Sequence, residues 1–173
     1  MVKYLCVLLL IVAFAAPVFA QDDVPQAELS MGYGNINLKS VANRHHGFTT
    51  SQIFNVNKWF AIENHLGYYS MGTDPTYGKA QLIADWFGGK FTYRAEKIAP
   101  YAVAGLGGGW LRFPSSGVGT NNSMATRIGG GVDIPFKESL AWKVEVTRTS
   151  FHFGTWQSGT NFSTGLVLKI GGF

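Results

Sequence analysis

The segment LAWKVEVTRT, residues 140–149, alternates between two kinds of side chain. Apolar residues hold one set of positions (Leu140, Trp142, Val144, Val146), and polar residues hold the positions between them (Lys143, Glu145, Thr147, Thr149). A period of two is typical of a β-strand whose two faces meet different surroundings. In a helix, Lys143 and Glu145 would lie on widely separated faces. The segment therefore predicts a strand with one apolar and one polar face.

The same alternation recurs along the chain. It is clear over residues 60–68, 124–134 and 162–170. It is weaker over residues 27–34, 47–56, 81–94 and 101–111, and the last of these is too rich in Gly and Ala for its faces to be assigned. Within 81–94 the phase slips around Asp85 and Trp86, which predicts a β-bulge or a loop end there. The total is eight strands.

Composition excludes several classes of protein. The 173 residues are 14% charged and 46% hydrophobic, with 22 glycines, whereas soluble domains average about 25% charged residues. Disordered chains and coiled coils do not have this composition. The formal charge is +4 without a run of Lys or Arg, so we expect no nucleic-acid partner. The one cysteine, Cys6, excludes a disulfide framework and a cysteine-based metal site.

The N-terminus has the pattern of a secretory signal peptide. Lys3 precedes an apolar run over residues 5–16, and Val18 and Ala20 place small residues before Gln21. We predict a signal peptide over residues 1–20, a short N-terminal lead over 21–26 and a barrel domain over 27–173. The alternative is an N-terminal membrane anchor, but the apolar run is short for a spanning helix, which needs about 20 residues.

The connections between the predicted strands alternate in length. Residues 37–46, 71–78, 112–122 and 150–160 form long connections, and 57–58, 95–98 and 135–139 form short ones. Outer-membrane barrels alternate in this way, with short periplasmic turns and long external loops. Aromatic residues cluster near the short turns (Phe54, Trp59, Phe60, Phe136, Trp142) and near the long loops (Tyr68, Tyr69, Trp110, Phe113, Phe151), as two interfacial girdles would.

We therefore predict an all-β fold, an eight-stranded antiparallel up-and-down transmembrane β-barrel with both termini on the periplasmic side. A closed barrel is the membrane architecture left to an exported chain without an apolar helix after residue 20. The alternative class is a soluble exported β-protein, such as a lipocalin-like binder. A surface of that kind needs more charged residues than this chain supplies.

Three segments carry a family resemblance. ATRIGGGVD (125–133), KVEV (143–146) with Thr149, and STGLVLKIG (163–171) resemble the last three strands of small single-domain members of the OmpA-like outer-membrane β-barrel family. The resemblance extends over residues 26–173. It implies a Gram-negative outer-membrane location and, because Phe173 ends the sequence, no peptidoglycan-binding domain after the barrel. Phe173 resembles the signal read by the barrel-assembly machinery, although it shares a phase with Lys169 and not with Leu168.

The polar face of the strands predicts the content of the lumen. The interior of an eight-stranded barrel is just wide enough for side chains to fill, and buried charges need partners. The inward residues comprise four acids, five bases and one histidine: Glu28, Glu63, His65, Lys90, Arg94, Arg127, Asp133, Lys143, Glu145 and Lys169. We predict a salt-bridged plug with His65 as a hydrogen-bonded member. The alternative is a narrow ion path or gated pore.

Catalysis is not predicted. Lipid A deacylases also use barrels of this size and resemble this chain in a late-strand histidine, here His152. Their pattern needs a serine two residues later, where this chain has Gly154, and Ser150 comes before the histidine instead. No Asp or Glu follows Glu145 to orient a base. A lipid A-modifying hydrolase is therefore the less favoured alternative.

The first long loop is expected to present Arg44, His45 and His46 as a solvated basic segment facing lipopolysaccharide phosphates. A metal site would need further ligands, and neither a metal nor another cofactor is expected. The expected partners are outer-membrane lipid, lipopolysaccharide and the barrel-assembly machinery. We expect a monomer with a structural or surface-interaction role, in which any surface ligand binds the four external loops.

Overall fold

The computed structural model describes residues 24–39, 44–74, 76, 78–114 and 119–171. Eight strands account for most of them: β1 (Ala27–Leu38), β2 (His45–Asn55), β3 (Phe60–Asp74), β4 (Gly78–Thr92), β5 (Ala99–Arg112), β6 (Asn121–Lys137), β7 (Leu140–Phe153) and β8 (Thr155–Ile170). Each strand pairs antiparallel with its neighbours in sequence, and β8 pairs with β1 to close a barrel. The predicted fold class is confirmed.

The strands are staggered around the barrel. A row of directly opposed residues starts at Ala27, crosses every strand and returns to β1 at Asn37, ten residues further along; its members in order are Ala27, Phe54, Ile62, Gly89, Ala104, Ile128, Arg148, Thr160 and Asn37. Such a stagger tilts the strands against the barrel axis. We call the end where β1 begins and β8 ends the terminal end, and the opposite end the distal end.

The outer face of the barrel carries large apolar side chains. Ile128, Phe87 and Leu106 are 63%, 62% and 60% exposed, whereas Arg127 and Trp86, next to the first two in sequence, are buried. A soluble barrel would bury such residues, so the lipocalin-like alternative is excluded by the orientation of the strands. Among the described residues no helix has the length and hydropathy needed to cross a bilayer.

Two predicted features lie outside the described residues. The signal peptide (1–20) is one, and the C-terminal Phe173 is the other. Gly171, just before that terminus, has φ of 69°, a left-handed conformation that glycine adopts without a steric penalty. The extended strand β8 therefore ends at Ile170.

The predicted bulge at Asp85 and Trp86 is wrong. Ala84, Trp86 and Lys90 all point into the lumen, so β4 keeps one phase throughout. The apparent slip arose because β4 changes the chemistry of its inward face from apolar to charged along its length. The irregularities in strand pairing occur elsewhere, between Ser70 and Thr73 and between Pro135 and Lys137.

The predicted alternation of long and short connections is also wrong in detail. The strands continue past the expected loop boundaries at the distal end, so only residues 75–77 separate β3 from β4 and only Gly154 separates β7 from β8. Gly154 has φ of 78°, which permits this tight reversal. Two of the expected distal loops are thus mostly hydrogen-bonded ribbon.

Four residues assigned to distal loops or girdles belong to strands or to the interior. His45 and His46 open β2 and are not loop residues, because they pair with Ile36 and Asn35 of β1; Arg44 precedes the strand and is exposed. Tyr69 is fully buried in the lumen, so it is not a girdle residue. Phe151 is also buried, because its position shares the inward phase of β7 with Thr149.

Candidate functional site: the barrel lumen

The lumen at the terminal end contains a compact ion-pair group, which we call the terminal cluster: Glu28, Lys90, Arg94 and Asp133. Lys90 Nζ lies 2.7 Å from Asp133 Oδ2 and 3.3 Å from Glu28 Oε2. Arg94 Nη2 lies 3.0 Å from Glu28 Oε1. Asn55 donates to Glu28 and accepts from Arg94. These contacts therefore join β1, β2, β4 and β6, together with Arg94, which follows β4.

A second group lies in the middle of the lumen, and we call it the middle cluster: Glu63, Arg127, Lys143 and Glu145. Arg127 bridges two carboxylates, with Nη1 3.0 Å from Glu63 and Nη2 2.6 Å from Glu145. Lys143 Nζ lies 3.2 Å from the other Glu145 oxygen. Ser163 donates a longer hydrogen bond, 3.4 Å, to Glu145. Each charge has an opposite charge beside it, as burial requires.

Tyr101 connects the two clusters. Its hydroxyl donates to Glu145 Oε2 at 3.0 Å, and its ring centroid lies 4.3 Å from Lys90 Nζ. An ammonium at that distance from an aromatic face is attracted by the ring quadrupole. Tyr101 was not predicted from the sequence, because its strand is too rich in Gly and Ala for its faces to be assigned.

The ten residues that the sequence placed in the lumen fall into three groups. Eight belong to the two clusters. His65 lies beside the middle cluster and is 1% exposed. Lys169 is only partly buried and lines a cleft of roughly 460 Å³ at the terminal end, which Arg94 and Glu138 also line. One partner choice was not foreseen: Asp133 contacts Lys90 across the lumen, although it is opposite Lys143 in the β6–β7 pairing.

Ser51, His65 and Glu63 have the residue types of a nucleophile, a base and an orienting acid. Their geometry does not fit that chemistry. Ser51 Oγ lies 2.9 Å and Glu63 Oε1 3.7 Å from the same ring nitrogen, His65 Nδ1. A relay needs the serine on one nitrogen and the acid on the other. Ser30 also donates to Ser51, which ties this hydroxyl into a structural network.

Apolar side chains fill most of the distal half of the lumen, beside the buried His45, Thr149 and Asn161, and we call this apolar filling the distal plug. It comprises Ile36, Leu38, Tyr69, Leu82, Ala84, Trp86, Ala125 and Phe151, with Met71 and Phe153 packed against them. The Trp86 and Phe151 ring centroids are 5.9 Å apart, within the range of aromatic pairs. The plug was not predicted from the sequence, because the inward face of the strands was assigned from its charged residues. The signal was present in the inward phase of β4, where Leu82, Ala84 and Trp86 alternate.

The two histidines at the distal end face opposite ways. His45 is buried, 6% exposed, whereas His46 is exposed on the outer face. The Tyr33 hydroxyl and the Asn35 amide both contact His46 Nδ1. His46 is therefore held against β1 by hydrogen bonds at the outer surface.

His152 and Ser150 do not form a catalytic pair. Ser150 shares a hydrogen bond of 2.8 Å with Ser158, and the His152 ring packs edge-on against Trp156, with centroids 5.1 Å apart. Within the described ranges, no group of three or more His, Cys, Asp and Glu residues is arranged to hold a metal ion.

Comparisons with known proteins agree with this architecture. A family model described as an outer membrane protein beta-barrel domain matches residues 6–169. No curated protein sequence matches the chain significantly.

Several solved structures share the fold at low sequence identity. Neisserial surface protein A is 10% identical with a TM-score of 0.66, covering 83% of this chain and 96% of that one. Ail of Yersinia pestis, in complex with the heparin analogue sucrose octasulfate, is 13% identical with a TM-score of 0.58, covering 84% and 99%. The N-terminal β-barrel domain of Pseudomonas aeruginosa OprF is 14% identical with a TM-score of 0.56, covering 83% and 98%.

Proposed function

Because the chain belongs to the outer membrane protein β-barrel family, and thus to the outer membrane of a Gram-negative cell, we propose that it is a closed barrel that acts through its outer surface. Neither conduction nor catalysis is part of this proposal. The observation that carries it is the filling of the lumen by two ion-pair clusters and the distal plug.

The two halves of the lumen would block ions in different ways. The distal plug presents apolar side chains and aromatic rings, which do not replace the hydration shell of an ion. The clusters fix cations and carboxylates against each other, so that a mobile ion would have to displace a partner at 2.6–3.3 Å. Breaking one buried pair costs about 3–5 kcal/mol. A permanently open pathway is therefore not expected.

Planar-bilayer recording tests the closed lumen. The wild-type protein should give no stable channels. Trp86→Ala and Phe151→Ala together should open the distal half. Channel activity is therefore expected in this double variant before it is seen in any single variant or in the wild type. Phe87→Ala, on the lipid-facing side of the same strand as Trp86, is the control and should remain silent. Stable channels in the wild type would contradict the closed lumen and support the alternative, a narrow pore.

A non-enzymatic role rests on the geometry of the two groups that resemble catalytic residues. Ser51 and Glu63 approach the same nitrogen of His65, and Ser150 bonds to Ser158. A Ser51→Ala variant should therefore leave any lipid-hydrolysing activity of a purified sample unchanged. Loss of such an activity in this variant would contradict the proposal.

The distal end supplies the surface for interaction. Lys39, Arg44, Lys79 and Arg112 lie at or beyond the distal ends of β1, β2, β4 and β5, and all four have exposed side chains. Phosphate groups of lipopolysaccharide suit such a rim, since exposed Lys and Arg attract anions. The heparin analogue bound by the Ail structure is a sulfated ligand, and a polyanion of that class is the probe of choice here.

Binding of lipopolysaccharide and of sucrose octasulfate to the refolded barrel should fall steeply with ionic strength. Arg44→Ala with Arg112→Ala should weaken both by about tenfold, whereas Lys58→Ala at the terminal end should have little effect. Equal loss in all variants would mean that the distal rim is not the binding surface.

Export and assembly complete the proposal. The signal peptide over residues 1–20 would direct secretion, and the terminal end would then face the periplasm. Phe173 would be read by the barrel-assembly machinery. Deleting Phe173 should reduce assembly in cells without reducing spontaneous refolding in detergent, because only the former requires recognition.

A further inference from the structure

Two amide side chains lie on the lipid-facing surface, nearer the terminal end of the barrel than the distal end. The outward residues of β3 run Phe60, Ile62, Asn64, Leu66 and Tyr68, so Asn64 has an aromatic residue on either side along the strand. Gln52 lies directly opposite Asn64 on β2 and is exposed. This depth is where a barrel normally presents apolar groups to lipid.

Other outward polar residues near this depth have a partner in their own barrel. The Thr50 hydroxyl donates to the Ser30 carbonyl at 2.9 Å, and the Thr164 hydroxyl donates to the Lys143 carbonyl at 3.1 Å. The Gln52 amide makes no hydrogen bond within the part of the chain that the structure describes. In hydrocarbon, where water is absent, an amide without a partner is strongly disfavoured.

Asn64 is oriented by a neighbour. Its Nδ2 donates to Asp85 Oδ1 on β4 at 2.7 Å. This contact leaves the Asn64 carbonyl oxygen as an acceptor beside the donors of Gln52. The surface thus offers one acceptor and one donor group side by side, at nearly the same height.

We propose that a second copy of this chain covers this face, forming a two-fold dimer within the membrane. A two-fold axis along the membrane normal brings residues of equal height together, and such an interface must complement itself. Gln52 of each protomer would donate to the Asn64 carbonyl of the other, making two equivalent hydrogen bonds. Polar side chains contribute to association in lipid in this manner. The sequence alone favoured a monomer.

A head-to-tail contact is the competing arrangement. Arg148 is exposed on the outer face of β7, where the stagger of the strands puts it level with Asp85 of β4. Asp85 of one copy facing Arg148 of the next would match opposite charges. Such contacts join two different faces and produce rings or open chains. The two-fold dimer is favoured because Asp85 already accepts a hydrogen bond from Asn64.

Disulfide trapping in phosphatidylcholine vesicles tests the proposal. The full chain would carry Cys6→Ser with Gln52→Cys, which places two thiols near the proposed axis. The control is Cys6→Ser with Val144→Cys, an outward position on β7 at the same height but on the far side of the barrel. Mild oxidation should give mainly dimer with Gln52→Cys and mainly monomer with Val144→Cys. Equal trapping at both positions would overturn the two-fold interface.

A second variant measures the amide contact itself. Gln52→Leu suits a lipid-facing position, so the barrel should fold, while the dissociation constant measured by energy transfer in vesicles should rise about tenfold. Thr164→Val is the polar-to-apolar control and should leave it unchanged. A wild-type protein that stays monomeric at every protein-to-lipid ratio would refute the dimer. Loss of association in Arg148→Ala, but not in Gln52→Leu, would refute it in favour of the head-to-tail contact.

Discussion

Arg127 Nη2 lies 2.6 Å from Glu145 Oε1, although these residues are not opposite each other in the β6–β7 pairing. Arg127 is opposite Thr149, and Glu145 is opposite Gly131. A Cβ on Gly131 would collide with the Tyr101 hydroxyl, which donates to the same carboxylate. Because Gly131 has no side chain, Tyr101 of β5 can reach past β6 to Glu145 of β7.

Replacing Glu145 should destabilise the barrel strongly. Glu145→Ala leaves Arg127 with one carboxylate and Lys143 with none among the contacts described above, in a lumen where Glu145 itself is 1% exposed. We expect a loss of about 3–5 kcal/mol in the free energy of unfolding. Urea unfolding from lipid vesicles measures it. The control is Glu138→Ala in an exposed turn, which should change stability by less than about 0.5 kcal/mol. Equal, near-zero effects would refute the role of the middle cluster.

The two carboxylates around Lys90 should show strong coupling with it. Lys90→Met leaves Glu28 and Asp133 without this cation, and Asp133→Asn removes one of the uncompensated charges. The double variant should therefore be more stable than the sum of the single effects predicts, with a coupling energy of about 1–3 kcal/mol. A double-mutant cycle of unfolding free energies measures this. Additive effects would show that Lys90 and Asp133 do not interact in the folded barrel.

The distal plug should behave as a close-packed core. Phe151 is fully buried between Trp86 and Phe153, so Phe151→Ala should create a cavity and cost about 3–5 kcal/mol. Phe151→Leu, which restores most of the volume, should recover more than half of that loss. Thermal or urea unfolding in detergent distinguishes them. An Ala variant as stable as the Leu variant would indicate that the position is not packed.

Gly67 should be intolerant of a side chain. A Cβ there would lie 2.6 Å from Cε2 of the Tyr69 ring, which packs over it. Gly67→Ala should displace that ring and destabilise the barrel by about 1–3 kcal/mol. Gly119→Ala is the matched control, because a Cβ at Gly119 would meet nothing within 4 Å. Urea unfolding of the two variants from lipid vesicles measures both stabilities, and equal stabilities would show that the Tyr69 ring does not pack over Gly67.

The sequence predicted the fold because the lumen is chemically unlike the lipid. The inward charges of β6 and β7, such as Arg127 and Glu145, made the period of two visible. On β4 the prediction failed because Trp86 is an inward residue as apolar as the outward Phe87, so the pattern lost its contrast. Where both faces are apolar, alternation carries no information about direction.

The pairing of charges across the lumen could not be predicted. Glu28 and Lys90 lie on strands that are not adjacent, and their contact depends on the stagger of every strand between them. Stagger is a property of the closed sheet and not of any one segment. The loop assignment of His45 failed for a related reason, since the distal strands continue as paired ribbon beyond the apolar band that the sequence pattern reveals.

The closing ladder between β1 and β8 has a consequence for the order of folding. Ala27 pairs with Ile170, so this seam joins the two ends of the barrel domain and has the largest sequence separation of any strand pair. Glu28, next to Ala27, finds its cations on and just after β4, on another side of the lumen. Its charge is neutralised only once the sheet has curled around. Closure of the β1–β8 seam and neutralisation of the Glu28 charge are therefore one event. A partly closed sheet would enter the lipid with its charged side chains still hydrated. This favours an all-or-none insertion in which the strands enter the bilayer together.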